Sequence, residues 1–244
     1  MAFDATLQRH SCNDCSGPKN CLGRQYCAHG PENQVVRSSL QAGQTLFRTG
    51  DSVNGIYVLK SGALKSYVTT ADGEEQILAF YSPGDVVGYD GITGGRHSRN
   101  IVALSPAVIC RMPTESLVSA CGFGNGIQES LLDGMGREIL RLQGMLRLER
   151  LSADQKMVLF LLNQARRQGK SGDADGATVV SLPMSRGEIG RFLDLATETV
   201  SRCLTRLQAS GHIRINRNEI ELLDSAGLQQ LSRAPAETRK RAAA

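Results

Sequence analysis

The stretch Ser185–Leu207, SRGEIGRFLDLATETVSRCLTRL, decides the fold of the C-terminal half. Ser185 carries a hydroxyl suited to cap a short helix that contains Glu188, Ile189 and Phe192. Asp194-Leu195-Ala196 reads as a tight turn, and Thr197 opens a second helix that ends near Ser210-Gly211. On this second helix Val200, Leu204 and Leu207 recur at i, i+4 and i+7, an apolar stripe that must face a core. Glu198, Ser201, Arg202 and Thr205 fall on another face, and none is apolar. Two helices, a tight turn and a polar face predict a helix-turn-helix. Arg202 suits guanine O6 and N7, Glu198 suits a cytosine amine, and Ser201 suits a base or a phosphate; each good pairing supplies about 1–3 kcal/mol of discrimination. An ordinary helical hairpin with a solvated face is the competing reading. The next ten residues favour the DNA reader: Ile213 and Ile215 alternate, Asn216-Arg217-Asn218 turns the chain, and Ile220 and Leu222 return it. That is a β-hairpin wing whose Arg217 could touch phosphate.

Towards the N-terminus the period stays helical. A strand at Thr178–Leu182 follows a polar loop at residues 169–177, and a helix from Ser152 to about Gln168 precedes that loop. Further back, Leu132, Met135, Ile139, Leu142 and Leu146 are spaced 3, 4, 3, 4, a heptad seam flanked by Arg137, Glu138, Arg141, Arg147 and Glu149. It reads either as a homodimer coiled coil or as a helix packed on its own domain. Gly134, Gly136 and Gly144 each weaken that helix by about 1 kcal/mol relative to Ala. A partner helix is therefore expected to stabilise it.

Residues 35–117 change character. Apolar runs at Gln44–Phe47, Ile56–Leu59, Leu64–Val68, Ile77–Tyr81, Val86–Val87 and Ile101–Met112 are separated by Gly-centred turns. Short strands at this spacing predict a small antiparallel barrel or roll. Residues 1–30 show no sustained period and read as an irregular segment whose order must come from ligand bonds. That segment holds Cys12, Cys15 and Cys21 as C-x2-C-x5-C, then Cys27 and His29. Thiolates bind soft metals, so the segment could supply a complete zinc site, a share of an iron–sulfur site, or reduced thiols with no metal. Cys110, Cys121 and Cys203 read from their own neighbourhoods as small hydrophobes. His10, His97 and His212 show no partner spacing and read as surface or incidental.

Length and composition bound the function. The 244 residues suit two domains and a connector, and 41% hydrophobic content is enough for real cores. No run of about 18 apolar residues is present, and the first thirty residues lack an apolar signal region. A cytoplasmic location with reduced thiols is expected, so seven cysteines argue for metal or redox chemistry rather than staples. The charge of +4 permits nucleic-acid binding without showing it. Arg239-Lys240-Arg241 sits in a polar tail, residues 233–244, that reads as disordered. There is no phosphate loop, no pair of catalytic carboxylates and no nucleophile–base constellation, so the chain is not expected to be an enzyme.

These residues together resemble the CRP/FNR superfamily, and within it the FNR branch of oxygen-responsive regulators. The resemblance covers nearly the whole chain. It rests on Gly43-Gln44-Thr45-Leu46-Phe47, Leu64-Lys65-Ser66-Tyr67, Gly84-Asp85-Val86-Val87-Gly88, Ile109-Cys110, Arg186-Gly187-Glu188-Ile189-Gly190 and, above all, Glu198-Thr199-Val200-Ser201-Arg202. It implies an α+β chain: a cysteine-rich segment at 1–30, a double-stranded β-roll at 31–124, a dimerisation helix at 125–150 and a winged helix-turn-helix at 151–232. It also implies a [4Fe–4S] cluster held by Cys12, Cys15, Cys21 and Cys110, which overturns the bland reading of Cys110. In such proteins the intact cluster supports the dimer that binds DNA, and oxygen degrades it. The implied DNA-binding set is Glu198, Thr199, Ser201, Arg202, Thr205 and Arg217, reading TTGAT-type half-sites of a palindrome. RNA polymerase is the implied partner, with the loop Thr70–Glu75 as one contact.

Three points depart from relatives. Some FNR members carry an aspartate in the seam that keeps the cluster-free form monomeric, and Leu142 stands at that position here. Cys27 is a spare thiol that could substitute as a ligand or form a disulfide. Gly84–Gly88 and Arg96-His97-Ser98-Arg99 do not keep the pattern with which cyclic-AMP receptors hold their ligand, so cyclic AMP is not expected to bind. The alternatives carried alongside are a structural zinc, a nitric-oxide-responsive centre, and a redox or ligand-binding enzyme domain.

Overall fold

Strands buried on both faces organise the first half of the chain. The computed structural model describes residues 8–10, 12, 15, 21–28, 33–121, 125–168 and 178–233. It divides into two units, Met1–Arg141 and Leu142–Ala244. In chain order the first half holds β1 (Gln8–His10), α1 (Leu22–Ala28), β2 (Val35–Leu40), β3 (Thr45–Phe47), β4 (Ile56–Ser61), β5 (Leu64–Thr69), β6 (Glu75–Tyr81) and β7 (Val86–Val87). A 3-10 turn (Tyr89–Gly91), β8 (Asn100–Ala103), β9 (Ala107–Met112), α2 (Thr114–Cys121) and α3 (Asn125–Leu148) complete it. One sheet runs β1-β2-β9-β4-β7, the other β3-β8-β5-β6, and every pairing is antiparallel. This is the β-roll expected from the sequence.

Alternation along β4 and β9 separates two cores. Tyr57, Leu59, Ala107 and Ile109 point between the sheets and join Phe47, Leu64, Tyr81 and Ile101. Ile56, Val58, Cys110 and Met112 point to the opposite face and join Leu22 and Tyr26 of α1, Leu117 of α2 and Ile127 of α3. Side chains two apart share a face of a strand, so Cys110 is carried to the outer face by the parity that places Met112 there.

Several expectations need correction. Residues 1–30 are not irregular throughout, because they form β1 and α1. Tyr26 and Leu22 of α1 bury themselves against the sheet, a long-range contact that local periodicity does not reveal. Ile101–Met112 is two strands rather than one run. The break falls at residues 104–106, where Pro106 has no N–H to donate to a ladder. Opposite it Gly62 adopts φ +87°, and a Cβ there would overlap the Pro106 carbonyl. His97 is not incidental: it is buried, lies flat on Phe47 with ring centroids 3.5 Å apart, and sits 3.4 Å from Asp90 Oδ1. His212 also has a partner, with Nδ1 2.9 Å from Asp224 Oδ2.

A half-buried charge cluster fastens α3 to the roll. Arg141 donates to both carboxylate oxygens of Glu138, at 2.9 and 2.6 Å, and to the Leu78 carbonyl of β6 at 2.5 Å. Arg99 Nη1 donates to Glu138 Oε1 at 3.2 Å, and its Nε lies 3.9 Å from Asp90 Oδ2. Burial alone would raise the Glu138 carboxyl, but the Arg141 and Arg99 guanidiniums hold it below its usual range. One turn earlier the Tyr89 ring lies directly on α3 at Gly134, where a Cβ would overlap the phenol oxygen. Gly134 thus costs helix propensity but permits this close approach, unlike Gly136 and Gly144, which face open space.

The second half comprises α4 (Ala153–Gln168), β10 (Thr178–Ser181), α5 (Arg186–Leu193), α6 (Thr197–Ala209), β11 (Ile213–Asn216), β12 (Glu219–Leu222) and α7 (Ser225–Arg233), with sheet order β10-β12-β11. The loop at 169–177, His29 and the tail from 234 onward, with Arg239-Lys240-Arg241, lie outside the described residues. Among the described residues no helix is long and apolar enough to cross a membrane.

Candidate nucleic-acid interface and thiol site

The two helices of the reader are fixed by local chemistry. Ser185 Oγ accepts from the Glu188 N–H at 3.2 Å, while Glu188 Oε2 accepts from the Ser185 N–H at 2.8 Å, a reciprocal cap for α5. The turn is made by Asp194 in the left-handed region, φ 53°, and by the Leu195 N–H bonding to the Gly190 carbonyl at 2.9 Å. Gly190 has no alternative, because a Cβ there would stand 2.5 Å from the Leu195 carbonyl oxygen. Lys156 is buried and donates to the Leu193 carbonyl at 2.9 Å, closing the end of α5 from the side of α4. Phe160 and Phe192 make a tilted ring pair 5.8 Å apart.

On α6, Val200, Leu204 and Leu207 are buried as the apolar stripe requires. Cys203 is fully buried beside them, and its thiol is pushed up to about 12, first by burial and then by Asp154. Asp154 also accepts from Arg206 at 2.5 Å, which pins α6 to α4. Glu198, Arg202 and Thr205 are exposed, and Thr199 and Ser201 are half-buried. The face read as polar is therefore the outward one. The wing also forms: Arg217 sits at the tip between β11 and β12, exposed and with φ 52°. Its left-handed backbone is a strained conformation for a long side chain, held by the pairing of Asn216 with Glu219.

The thiol site lies on the outer face of the five-stranded sheet. Cys12 and Cys110 are buried in one apolar cluster, and Cys15, Cys21 and Cys27 pack against it. The site therefore gathers five thiols, four from the N-terminal segment and one from β9. Gly23 leaves space beside them, since a Cβ there would stand 3.7 Å from Cys21 Sγ and 3.8 Å from Cys12 Sγ. The Cys15 N–H donates to the Cys12 carbonyl at 3.2 Å, and Arg24 donates to the Cys15 carbonyl. The Cys12 thiol is pushed up by its hydrogen bond with Cys27 and by burial; the same bond pulls Cys27 down to about 6. Burial raises Cys110, against the pull of Arg37 across the β2–β9 ladder. Among the described residues no three His, Cys, Asp or Glu groups are close enough to hold a single metal ion. A cubane is several atoms wide and takes more widely spaced thiolates than one ion does, so an all-sulfur donor set in an apolar setting fits such a group.

The seam on α3 is apolar and largely exposed. Leu132 is 69% exposed, Ile139 55%, Leu142 41% and Leu146 71%, with Met135 half-buried. The seam shares its helix with the thiol site's neighbours: Ile127 and Leu131 belong to the thiol cluster, and Ser130 bonds to Gln25 of α1.

A β-roll followed by a helix with an apolar seam and a winged helix-turn-helix defines a class, the two-domain DNA-binding regulators. Comparison with known proteins then fixes the family. Residues 37–122 match the model for the cyclic nucleotide-binding domain, and residues 155–231 match the Crp-like helix-turn-helix domain. The chain is 35% identical over 226 residues to the anaerobic regulatory protein of Haemophilus influenzae, covering 91% of this chain and 87% of that one. It is 34% identical to the fumarate and nitrate reduction regulatory protein of Escherichia coli K12, covering 91% and 90%. Among solved structures, FixK2 from Bradyrhizobium japonicum has a TM-score of 0.74 at 28% identity, covering 83% of this chain and 99% of that chain. A CRP-family regulator from Thermus thermophilus shares the fold at a TM-score of 0.65, 21% identity, and coverage of 82% and 98%. The chain belongs to the CRP/FNR family of transcription regulators, and its curated relatives are regulators of the FNR type.

Proposed function

We propose that this protein is a cytoplasmic, homodimeric transcription regulator that senses oxygen through a [4Fe–4S] cluster. Cys12, Cys15, Cys21 and Cys110 are the ligands in this reading, and Cys27 is a fifth thiol that hydrogen-bonds to one of them. The group would supply an oxygen-labile centre; the remaining work falls to the chain's own residues. The observation that carries the proposal is that the thiols share one buried cluster with Ile127 and Leu131, at the start of the helix that bears the dimer seam. Bonds to the thiols order α1, and α1 braces α3 through Gln25 and Ser130. The seam of Leu132, Met135, Ile139, Leu142 and Leu146 then pairs two chains.

Each chain offers Glu198, Ser201 and Arg202 to base edges, with Thr199, Thr205 and Arg217 positioned for backbone or base contacts. Half-sites would lie about one helical turn apart. RNA polymerase is the proposed downstream partner, reached in part through Thr70–Glu75, and activation of anaerobic genes is the proposed outcome. In the segments used, residues 1–30 carry thiols, 31–124 the roll, 125–150 the seam and 151–232 the reader. Cyclic AMP is not a ligand in this reading, because the roll's Arg99 is committed to Glu138 and Arg96 donates to the Gly50 carbonyl.

The test is purification without air. Iron and acid-labile sulfide at four per chain, with palindrome-specific binding that air abolishes, is the expected result. Iron-free protein that binds the operator fully would overturn the proposal. Leu142 still exposes 41% of its surface, so pairing adds about 0.6–1.2 kcal/mol of burial per side chain where a charge would repel. Cluster-free protein should therefore still associate at micromolar concentration by sedimentation.

A further inference from the structure

We infer that Arg186 is a specificity-determining residue of the reader, acting through Ser201 rather than by touching a base. The inference rests on the DNA-reading function proposed above and assigns a residue outside the recognition helix to it. Arg186 is the first residue of α5 and is exposed. Its Nη1 donates to Ser201 Oγ on α6 at 3.3 Å, fifteen residues away in sequence.

The approach is built into the backbone at both ends. The cap between Ser185 and Glu188 fixes the start of α5, from which Arg186 projects. The start of α5 lies beside α6, with a Cβ built at Gly187 in ordinary contact with Thr197 Oγ1 at 3.6 Å. Gly190 allows the tight turn between the helices. The Ser201 backbone is held by α6, and its carbonyl also accepts from Thr205 Oγ1 at 3.0 Å.

The chemistry comes from the donor inventory. A serine hydroxyl carries one donor and two acceptor lone pairs, so a lone Ser can meet either kind of base edge. A guanidinium carries only donors, so in this contact Ser201 Oγ must accept. Its own proton then points away from Arg186, and the adjacent positive charge strengthens it as a donor. Ser201 is thereby set to donate to a base-edge acceptor: thymine O4, guanine O6 or a purine N7. It is biased against the amino groups of cytosine and adenine, because the one lone pair left over lies beside the Arg186 charge and is weakened as an acceptor. Without Arg186 the hydroxyl can turn either way, and the preference fades.

The test measures binding of the full-length, anaerobically purified protein to operators that carry each of the four base pairs at every half-site position. Wild type, Ser201→Ala, Arg186→Ala and Arg186→Lys are compared at two salt concentrations. Ser201→Ala identifies the position that Ser201 reads. Arg186→Ala is expected to lose about fivefold of the discrimination at that same position and little elsewhere. Arg186→Lys, with a point charge and no planar fork, is expected to recover overall affinity but not that selectivity. If Arg186→Ala instead weakens all sequences equally, lowers the salt slope by about one and is fully rescued by Lys, Arg186 is a phosphate contact only and the inference is overturned. Wild-type protein with no base preference at all would remove the DNA-reading function and the inference with it.

Discussion

The reading face of α6 and the thiol site differ in where their order comes from. The contacts that shape the reader's turn are close in sequence or come from the adjoining α4: the reciprocal cap at Ser185, the left-handed Asp194, the glycine at 190 and the Lys156 bond to Leu193. The thiol site instead joins residues 12 to 27 with residue 110, more than eighty positions further along, and depends on strand parity in β9 to turn Cys110 the right way. Local order is robust and always present. Order assembled from residues this far apart in sequence is the more easily lost, and in the proposed reading bonds to the thiols add to the burial of Leu22 and Tyr26 that holds α1.

The sharpest way to break this contrast is at the thiols. Ser in place of Cys12, Cys15, Cys21 or Cys110 should each abolish bound iron, while Cys27→Ser should leave it near the wild-type content. Iron and sulfide assays on protein prepared without air decide this, and full iron in Cys110→Ser would end the four-ligand assignment. The reader is expected to be damaged by sterics instead. Gly190→Ala drives a methyl onto the Leu195 carbonyl and should cost about 2–3 kcal/mol, read as a lowered denaturation midpoint of the second unit with cluster content unchanged. Ser185→Ala removes one half of a cap and should cost only about 1 kcal/mol in the same measurement.

The smallest effect is a dependence on acid. The folded Glu138 carboxyl lies below its unfolded value of about 4.3, so its contribution is present above that pH and is lost as pH falls through the folded value. Urea midpoints measured from pH 6 down to pH 3 should decline on the acid limb. Glu138→Gln should flatten part of that decline; an unchanged slope would show that the Arg99–Glu138–Arg141 contacts contribute nothing.

Much of the reader is legible in the sequence because its signals are short-range. A cap residue, an apolar stripe at 3.6 spacing and a two-strand wing all fall within forty residues, and Val200, Leu204, Leu207 and Arg217 lie where periodicity and turn chemistry place them. The roll is legible as a series of short strands, but β2 is not, nor are α1, α2 and α7. Residues such as Leu22, Tyr26 and Leu228 are buried by partners that no local pattern names. His97 is hidden for the same reason, since Phe47 comes to it from β3 and Asp90 from the 3-10 turn. Gly134 is legible only as a weakness, because the ring that needs the space is forty-five residues away. Cys110 is the instructive case. Its neighbours Val108 and Ile109 mark it as a core residue, and only the opposite parity of Ile109 and Cys110 across β9 separates the inner wall from the thiol face.

Tyr89 under Gly134, with the Arg99 bond to Glu138 one turn further on and the Arg141 bond two turns on, keys the long helix to the roll like a shaft in a slot. Spinning α3 about its axis would tear both guanidinium bonds and drive its backbone past a phenol ring. The roll therefore fixes which face of α3 looks outward, and any partner helix would meet the same row of Leu132, Ile139 and Leu146.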